Sequence, residues 1–163
     1  MKYFAIISML FFLNACSSIH TDKNGKPILI GHFEKTAFTD TSYSWWWNSE
    51  YGMYTVDTVS LANIKAPLSP LLIKIVLGTW CSDSRREVPR FTKMMEHLKI
   101  DFKNISYICV NRNKETEVKK ELSALKIEKV PTFIFYKDGT EIGRIIESPT
   151  ESLEKDFAKI ILK

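Results

Sequence analysis

The strongest constraint on the fold is an alternation of two patterns between Leu71 and the last residue, Lys163. Short apolar runs, typical of buried strands, alternate with segments whose apolar residues recur every three or four positions, as on one face of a helix. The predicted order is strand, helix, strand, helix, strand, strand, helix. Two parallel strands joined by a helix, then a hairpin and a covering helix, predict an α/β fold. Its central mixed sheet of four or more strands has helices on both faces.

Local signals set the limits of these elements. Strands are predicted over 71–77, 105–110, 132–136 and 141–146. The apolar helix faces are those of Val88, Phe91, Met94, Met95 and Leu98, of Val118, Leu122 and Leu125, and of Leu153, Phe157, Ile160 and Ile161. Residues 137–139 (Lys-Asp-Gly) predict a hairpin turn. Ser148 is predicted to cap the last helix, with Pro149 in the first turn and Glu151 completing a capping box.

The residues at 28–67 are predicted to form an aromatic-rich N-terminal extension. Within it, Asp57 or Thr58 is predicted to cap a short helix that runs to about Ile64. The three tryptophans at 45–47 are expected to pack the extension onto the core, or alternatively to line a peptide or ligand groove. Because three consecutive side chains cannot all point inward from a helix or strand, at least one is expected on the surface.

Residues 1–15 have the order of a signal peptide: a positive start, an apolar run and a small residue before a cysteine. Residues 13–16 (Leu-Asn-Ala-Cys) resemble the lipobox of bacterial lipoproteins, in which the cysteine carries lipid. An ordinary cleaved signal beside a chance cysteine is the alternative. The resemblance implies a membrane anchor through lipid on Cys16, a flexible tether over 16–27, and a bacterial cell-envelope location. Ser17 after the cysteine favours the outer membrane, facing the periplasm.

One segment has the composition of a reactive site. It comprises residues 80–84 (Trp-Cys-Ser-Asp-Ser), between the first core strand and its helix. Unpaired backbone N–H groups and the positive end of a helix dipole favour negative charge at such a position. Cys81 is therefore the candidate nucleophile, because the thiolate is the reactive form of cysteine. The arginines at 85 and 86 act in the same direction, whereas the acidic residues at 83 and 87 oppose them.

A second segment, Val130-Pro131-Thr132, directly precedes the third strand. A peptide bond before proline adopts the cis form at modest cost, and a cis bond here would turn a backbone edge towards the cysteine loop. Together with Pro89 in the first helix, the order of these motifs resembles the thioredoxin family over roughly Leu68 to Lys163. The string at 78–91 is similar to a thioredoxin-like subgroup of Bacteroidetes-type bacteria. The resemblance implies a three-layer thioredoxin-like domain over 68–163.

The resemblance also implies roles for single residues. Cys81 is expected to be the attacking thiol, with Ser84 hydrogen-bonded to its thiolate. Trp80, Val130 and Pro131 are expected to hold the substrate chain by strand addition. The expected partners are protein or small-molecule thiols and disulfides, and no cofactor is expected.

Two departures from the family pattern narrow this expectation. Ser84 stands where the family usually has a second cysteine, and Ile75 stands where thioredoxins carry a buried aspartate. Cys109 lies in a predicted buried strand and is expected to be a core residue rather than a resolving thiol. Envelope thiol–disulfide exchange through Cys81 alone, monothiol or isomerase-like, is therefore favoured over dithiol reduction. A non-catalytic peptide-binding module and a sulfenic-acid redox sensor stay open as alternatives, so whether the chain is an enzyme is left undecided.

Composition argues against several other classes of function. The 163 residues, with 45% hydrophobic and 26% charged, suit one globular domain with an extension, and three cysteines cannot form a disulfide scaffold. The formal charge of +4 is small and spread along the chain, so no nucleic-acid partner is expected. His20, His32 and His97 are scattered and lack metal-ligand spacing, so no metal site is expected.

Overall fold

The computed structural model describes residues 17–39, 41–64, 68 and 71–163, and within them six strands form one mixed sheet covered by four α-helices. The strands are β1 (Ser17–Thr21), β2 (Pro27–Phe33), β3 (Leu71–Leu77), β4 (Ile105–Cys109), β5 (Thr132–Lys137) and β6 (Thr140–Ile146). The α-helices are α1 (Thr41–Met53), α2 (Ser82–His97), α3 (Lys119–Leu125) and α4 (Leu153–Ile161). Short 3-10 helices occupy Lys35–Thr39 and Phe102–Asn104.

The strands follow the order β1-β2-β4-β3-β5-β6 across the sheet. β3 and β4 are parallel and are joined by α2, whereas the other neighbouring strands pair antiparallel. Asp138 and Gly139, in the turn between β5 and β6, have positive φ angles of 51° and 77°, as a type I′ hairpin turn requires. The predicted α/β architecture with a central mixed sheet is confirmed, and β1 and β2 extend that sheet at one edge.

β3 lies inside the sheet and is covered on both faces. Ile73, Ile75 and Leu77 belong to the core under α1, α2 and α4, whereas Val76 belongs to the core under α3. This division follows from the alternation of side chains along a strand. Ile75 has no exposed surface. The position six residues before Cys81 therefore contributes apolar packing and carries no acid–base group.

Four buried phenylalanines connect the helices of the larger core to β5. Phe91 of α2 contacts Phe133 at a ring-centroid distance of 4.5 Å, and Phe135 contacts Phe157 of α4 at 5.3 Å. None of the four has measurable exposure. Because β5 follows Pro131 directly, this packing fixes the proline segment and α2 on one rigid base.

The aromatic-rich extension is part of the fold through α1. Trp46 and Trp47 are buried, and Trp47 stacks on Phe38 with ring centroids 5.0 Å apart. Trp45 is 64% exposed. The prediction that at least one of the three tryptophans lies on the surface is therefore confirmed.

Polar contacts also fix α1 against α2. Arg90 donates two hydrogen bonds, of 2.9 and 2.7 Å, to the carboxylate of Glu50. Lys93 Nζ donates to the carbonyls of Tyr51 and Tyr54 at 2.8 and 2.7 Å. These carbonyls lie at the C-terminal end of α1, where a cation interacts favourably with the helix dipole. α1 is thus held by residues in the second half of α2.

The prediction of a flexible tether over 16–27 is wrong for the residues of this range that the structure describes. Every residue of β1 pairs with a residue of β2, and the turn between these strands is closed by backbone hydrogen bonds. A short polar strand lacks the alternation of apolar residues by which a half-buried strand is recognised in a sequence. Its position is set instead by the strand with which it pairs.

The predicted signal peptide at 1–15 and Cys16 lie outside the described residues. No helix in the described part of the chain is long and apolar enough to span a bilayer.

Two predicted helix starts are also wrong. Residues 57–64 form hydrogen-bonded turns instead of a helix, although Asp57 accepts two backbone N–H groups as a cap does. α4 is capped by Ser152, whose hydroxyl accepts a backbone N–H of the first turn at 3.1 Å. Ser148 does not cap this helix, because α4 begins only at Leu153, and the Ser148 hydroxyl instead accepts a hydrogen bond of 3.0 Å from Arg86.

Candidate active site

The loop between β3 and α2 places Cys81 at the N-terminal end of the helix. Cys81 is the residue directly before α2, with extended backbone angles of φ −87° and ψ 129°. Its N–H donates to the carbonyl of Gly78 at 2.9 Å, and its carbonyl accepts the N–H of Arg85 at 3.0 Å. The Cys81 side chain is partly exposed and forms no disulfide. The sulfur therefore stands at the positive end of α2 and is open to solvent.

The proline segment lies directly against this sulfur. The Val130–Pro131 peptide bond is cis. The Cys81 thiol donates a hydrogen bond of 3.3 Å to the Val130 carbonyl, which is 49 residues away in the chain. Val130 itself is buried against the core under α3. The fold thus brings together Cys81, Val130 and Pro131, three of the predicted site residues.

Ser84 lies close to Cys81 in the chain but has a different partner from the one predicted. Its side chain is fully buried, and its hydroxyl accepts the N–H of Gly78 at 3.2 Å. In the first turn of α2 the Ser84 side chain points under the loop, whereas the Cys81 sulfur turns towards Val130. The predicted hydrogen bond between Ser84 and the Cys81 sulfur is therefore absent. Ser84 instead fastens the loop that carries Cys81.

Trp80 is fixed beside Cys81 by three contacts. Its Nε1–H donates to the Val110 carbonyl at 2.9 Å, and the guanidinium of Arg112 lies 4.9 Å from the ring centroid. Gly78 also lies against the ring, where an added Cβ would come within 2.6 Å of Trp80 Cε2. The indole therefore has a single orientation next to the reactive sulfur.

Replacement of Gly78 by alanine is expected to displace the Trp80 ring. The added methyl group would overlap Cε2 and Nε1, since it would lie 2.6 and 2.7 Å from them. We expect a loss of about 1–3 kcal/mol in the free energy of unfolding, as overpacked sites show, measured by urea denaturation. Gly52→Ala is the matched control, because Gly52 lies in α1 with nothing within 4 Å of an added Cβ. Equal unfolding midpoints for the two variants would contradict this account.

Three arginines lie near the loop that carries Cys81, two in the first turn of α2 and Arg112 over Trp80, and they differ in how they are paired. Arg86 forms ion pairs with Asp83 and Glu87 at 2.9 and 2.6 Å. Arg112 lies 3.8 Å from Asp22. Partial burial lowers the pKa of Arg85, and the charge of a Cys81 thiolate acts in the opposite direction. Of these three arginines, Arg85 is therefore the one whose charge interacts most directly with the Cys81 sulfur.

Cys109 lies on β4 without access to solvent. The residue is fully buried, and burial raises the pKa of its thiol well above the ordinary value. The prediction that Cys109 is a core residue is confirmed. It offers no second reactive thiol to Cys81.

Some residues of the site were not singled out from the sequence. Arg112, which covers Trp80, follows the end of β4, and Cys81 follows the end of β3. Because parallel strands end at the same edge of a sheet, this placement was a usable signal for Arg112. Trp45 lies 5.4 Å from the Arg85 guanidinium, a contact that depends on how α1 packs and leaves no sequence pattern.

In the described residues, no group of three or more His, Cys, Asp or Glu side chains is arranged to hold a metal ion.

Comparison with known proteins agrees with this geometry. The model of the family described as Thioredoxin matches residues 34–157. A thioredoxin-like protein of Acanthamoeba polyphaga mimivirus is 30% identical over 89 residues, which are 55% of this chain and 61% of that protein. Thioredoxin H2 of Arabidopsis thaliana is 28% identical over 90 residues, which are 55% of this chain and 62% of that protein. The chain thus spans about three fifths of the length of these relatives.

A solved structure shares this fold. A crystal structure of a protein of unknown function from Pseudomonas aeruginosa superposes with a TM-score of 0.56 over 79% of this chain and 89% of that chain, at 11% identity. The family match starts upstream of α1, whereas the sequence motifs alone placed the resemblance from about Leu68. Since the match covers most of the chain, from before α1 into α4, the chain belongs to the thioredoxin family.

Proposed function

We propose that this protein carries out thiol–disulfide exchange through Cys81 alone. The observation that carries the proposal is the position of the Cys81 sulfur. It is partly exposed at the start of α2 and lies 3.3 Å from the Val130 carbonyl, beside the cis bond to Pro131. Membership of the thioredoxin family supports thiol–disulfide chemistry at this position. Among the described residues, Ser84 and the buried Cys109 leave Cys81 without a second reactive thiol.

The proposed exchange has two steps. In the first, the Cys81 thiolate attacks one sulfur of a substrate disulfide, a new S–S bond forms, and the other substrate sulfur leaves as a thiolate. In the second, an external thiol, or a free thiol of the same substrate, attacks the mixed disulfide and restores Cys81. Attack by the substrate's own thiol rearranges disulfides with no net oxidation. Attack by an external thiol transfers the oxidation to that thiol.

The surface around Cys81 supports binding of an extended substrate chain. We place the substrate between Trp80 and the Val130-Pro131 segment, where backbone groups pair with it as an added strand. The contacts of Trp80 with Val110 and Arg112 hold one wall of this site in place. The substrates in this proposal are disulfides of proteins or small thiols.

Ser84→Cys tests the single-cysteine mechanism. With a peptide disulfide and no reductant, the wild-type protein is expected to retain half of the peptide on Cys81, as seen by intact mass. In the variant, the introduced thiol attacks the Cys81 sulfur, forms an internal disulfide and releases the peptide. Because that attack is intramolecular, the adduct's lifetime should fall on the order of a hundredfold or more.

The control for this experiment is Ser84→Ala, which removes the bond to Gly78 without adding a thiol. Its adduct should last as long as that of the wild type until an external thiol is added. Rapid release from the wild-type protein without added thiol would overturn the single-cysteine mechanism. Absence of any adduct would overturn the exchange function itself.

We also propose that the protein acts in the bacterial cell envelope, anchored by lipid on Cys16. The support is the sequence order of a signal peptide followed by a lipobox-like tetrad at 13–16. Ser17 directly after this cysteine favours the outer membrane, with the protein facing the periplasm. Radiolabelled palmitate incorporated by the wild type, and lost in Cys16→Ala, would support lipidation. Equal labelling of both proteins would contradict it.

A further inference from the structure

A groove between α1 and the start of α2 adjoins the proposed nucleophile. It encloses about 260 Å³. Its walls include Trp45, Trp46, Glu50, Ser82, Arg85 and Arg86. Ser82 directly follows Cys81, so the groove wall includes the chain neighbour of the reactive cysteine. We refer to it below as the α1–α2 groove.

Among the charged groups of this groove, Arg85 is the one left without a counter-ion. Arg86 is offset by two acidic side chains within 2.9 Å. Glu50 is held by the two hydrogen bonds from Arg90. In the described part of the chain no carboxylate pairs with Arg85, whose Nε–H donates a hydrogen bond of 2.6 Å to the Thr79 carbonyl. The two terminal amino groups of its guanidinium are therefore available to a ligand.

Two tryptophans of α1 give this charge a defined position. The Arg85 guanidinium lies 5.4 Å from the ring centroid of Trp45, within the range of a cation–π contact. Trp46 is 97% buried, since its relative exposure is 3%, and its Nε1–H has no hydrogen-bond partner among the described residues. The groove wall thus contains an oriented cation and an unused donor. Both groups interact favourably with an acceptor that carries negative charge.

We propose that the α1–α2 groove binds a carboxylate of the peptide chain next to the substrate's disulfide, so that the protein prefers disulfides flanked by Asp or Glu. This inference rests on the exchange function proposed for Cys81. The planar guanidinium of Arg85 would take the carboxylate through its two free amino groups. In this arrangement α1, whose tryptophans at 45–47 were the sequence's alternative candidates for a ligand groove, forms the part that selects substrates.

The test uses two short peptides that differ in charge. Each contains one cysteine activated as a 2-pyridyl disulfide, flanked in one peptide by Glu and in the other by Gln. The Cys81 thiolate attacks the peptide sulfur, a mixed disulfide forms and pyridine-2-thiolate leaves. The anion takes a proton from water to give neutral 2-thiopyridone, which is followed by its absorbance. The measured quantity is the ratio of the second-order rate constants for the acidic and the neutral peptide.

We expect this ratio to be about tenfold for the wild-type protein at low ionic strength, and to fall as salt is added. Arg85→Gln should bring the ratio close to one. Trp45→Ala changes an exposed residue and should lower the ratio severalfold, because it removes the contact that orients Arg85. Lys137→Gln is the matched control. It removes one positive charge at the far end of β5, where Lys137 pairs with Leu71, and should leave the ratio unchanged.

The outcomes separate this inference from the proposed function. A ratio that stays the same in Arg85→Gln, while both peptides still react, would overturn carboxylate binding and leave exchange intact. An equal fall of the ratio in Lys137→Gln would show that overall charge acts rather than the groove. Failure of the wild-type protein to react with either peptide would overturn the exchange function first.

Discussion

Replacing Cys81 by alanine is expected to abolish covalent capture of disulfides by this protein. Cys81 carries the partly exposed thiol at the start of α2, whereas Cys109 is enclosed in the core. Incubation with a 2-pyridyl disulfide peptide should give one peptide adduct on a wild-type chain that begins at Ser17. The same incubation should give none on the variant. Intact mass spectrometry measures the outcome directly, and thiopyridone release gives the rate.

Cys109→Ala is the matched control for this experiment. It removes the other thiol of the described chain and is expected to leave the rate of adduct formation unchanged under native conditions. An adduct on Cys81→Ala, or a lost adduct on folded Cys109→Ala, would contradict the assignment of Cys81. A protein partner that remains bound to Cys81→Ala would instead favour the non-catalytic binding module.

Replacing Trp47 by alanine is expected to cost about 3–5 kcal/mol in the free energy of unfolding, the range for a buried aromatic reduced to alanine. Trp47 is 4% exposed, stacks on Phe38 at 5.0 Å and meets Trp46 edge-on at 5.8 Å. Its removal would leave a cavity between the extension and the sheet. Urea denaturation followed by circular dichroism measures the loss.

Trp45 supplies the control from the same run of tryptophans. Because Trp45 is 64% exposed, Trp45→Ala is expected to change the free energy of unfolding by less than about 0.5 kcal/mol. Equal and small losses for the two variants would mean that the extension contributes little to the fold. A large difference would show that α1 is as much a part of the core as β3.

The later part of the fold could be predicted because its signals are local. The apolar run of β3, the spacing of Phe91 and its neighbours on α2, and the turn at Asp138-Gly139 each specify their own element. The structure confirmed all three. β1 and α1 were harder to predict from the sequence, for two different reasons. β1 is a short polar strand defined by its partner, and the three consecutive tryptophans of α1 do not follow a helical period.

The candidate site could be predicted from the sequence to about the same extent as the fold. Cys81 and Pro131 were placed correctly in the chain, because a cysteine at a helix start and a proline before a strand are sequence patterns. Their contact, through the Val130 carbonyl, is a product of the fold. The partner of Ser84 was not predictable, because Gly78 and Cys81 both lie within six residues of it and only the backbone geometry selects Gly78. The contact of Trp45 with Arg85 likewise depends on the docking of α1.

The pairing of β1 would set how far the active site can lie from the membrane if the protein carries the proposed lipid on Cys16. Ser17 lies opposite Gly31, Gly31 opposite Cys109, and Cys109 opposite Leu77, which ends the strand before the Cys81 loop. Three strand spacings of about 4.8 Å separate Ser17 from Leu77 across this row, roughly 14 Å in all. Because β1 is hydrogen-bonded from its first residue, a lipid on Cys16 would hold the reactive sulfur within a short radius of the bilayer. Such an anchor would restrict exchange to disulfides presented near the membrane surface.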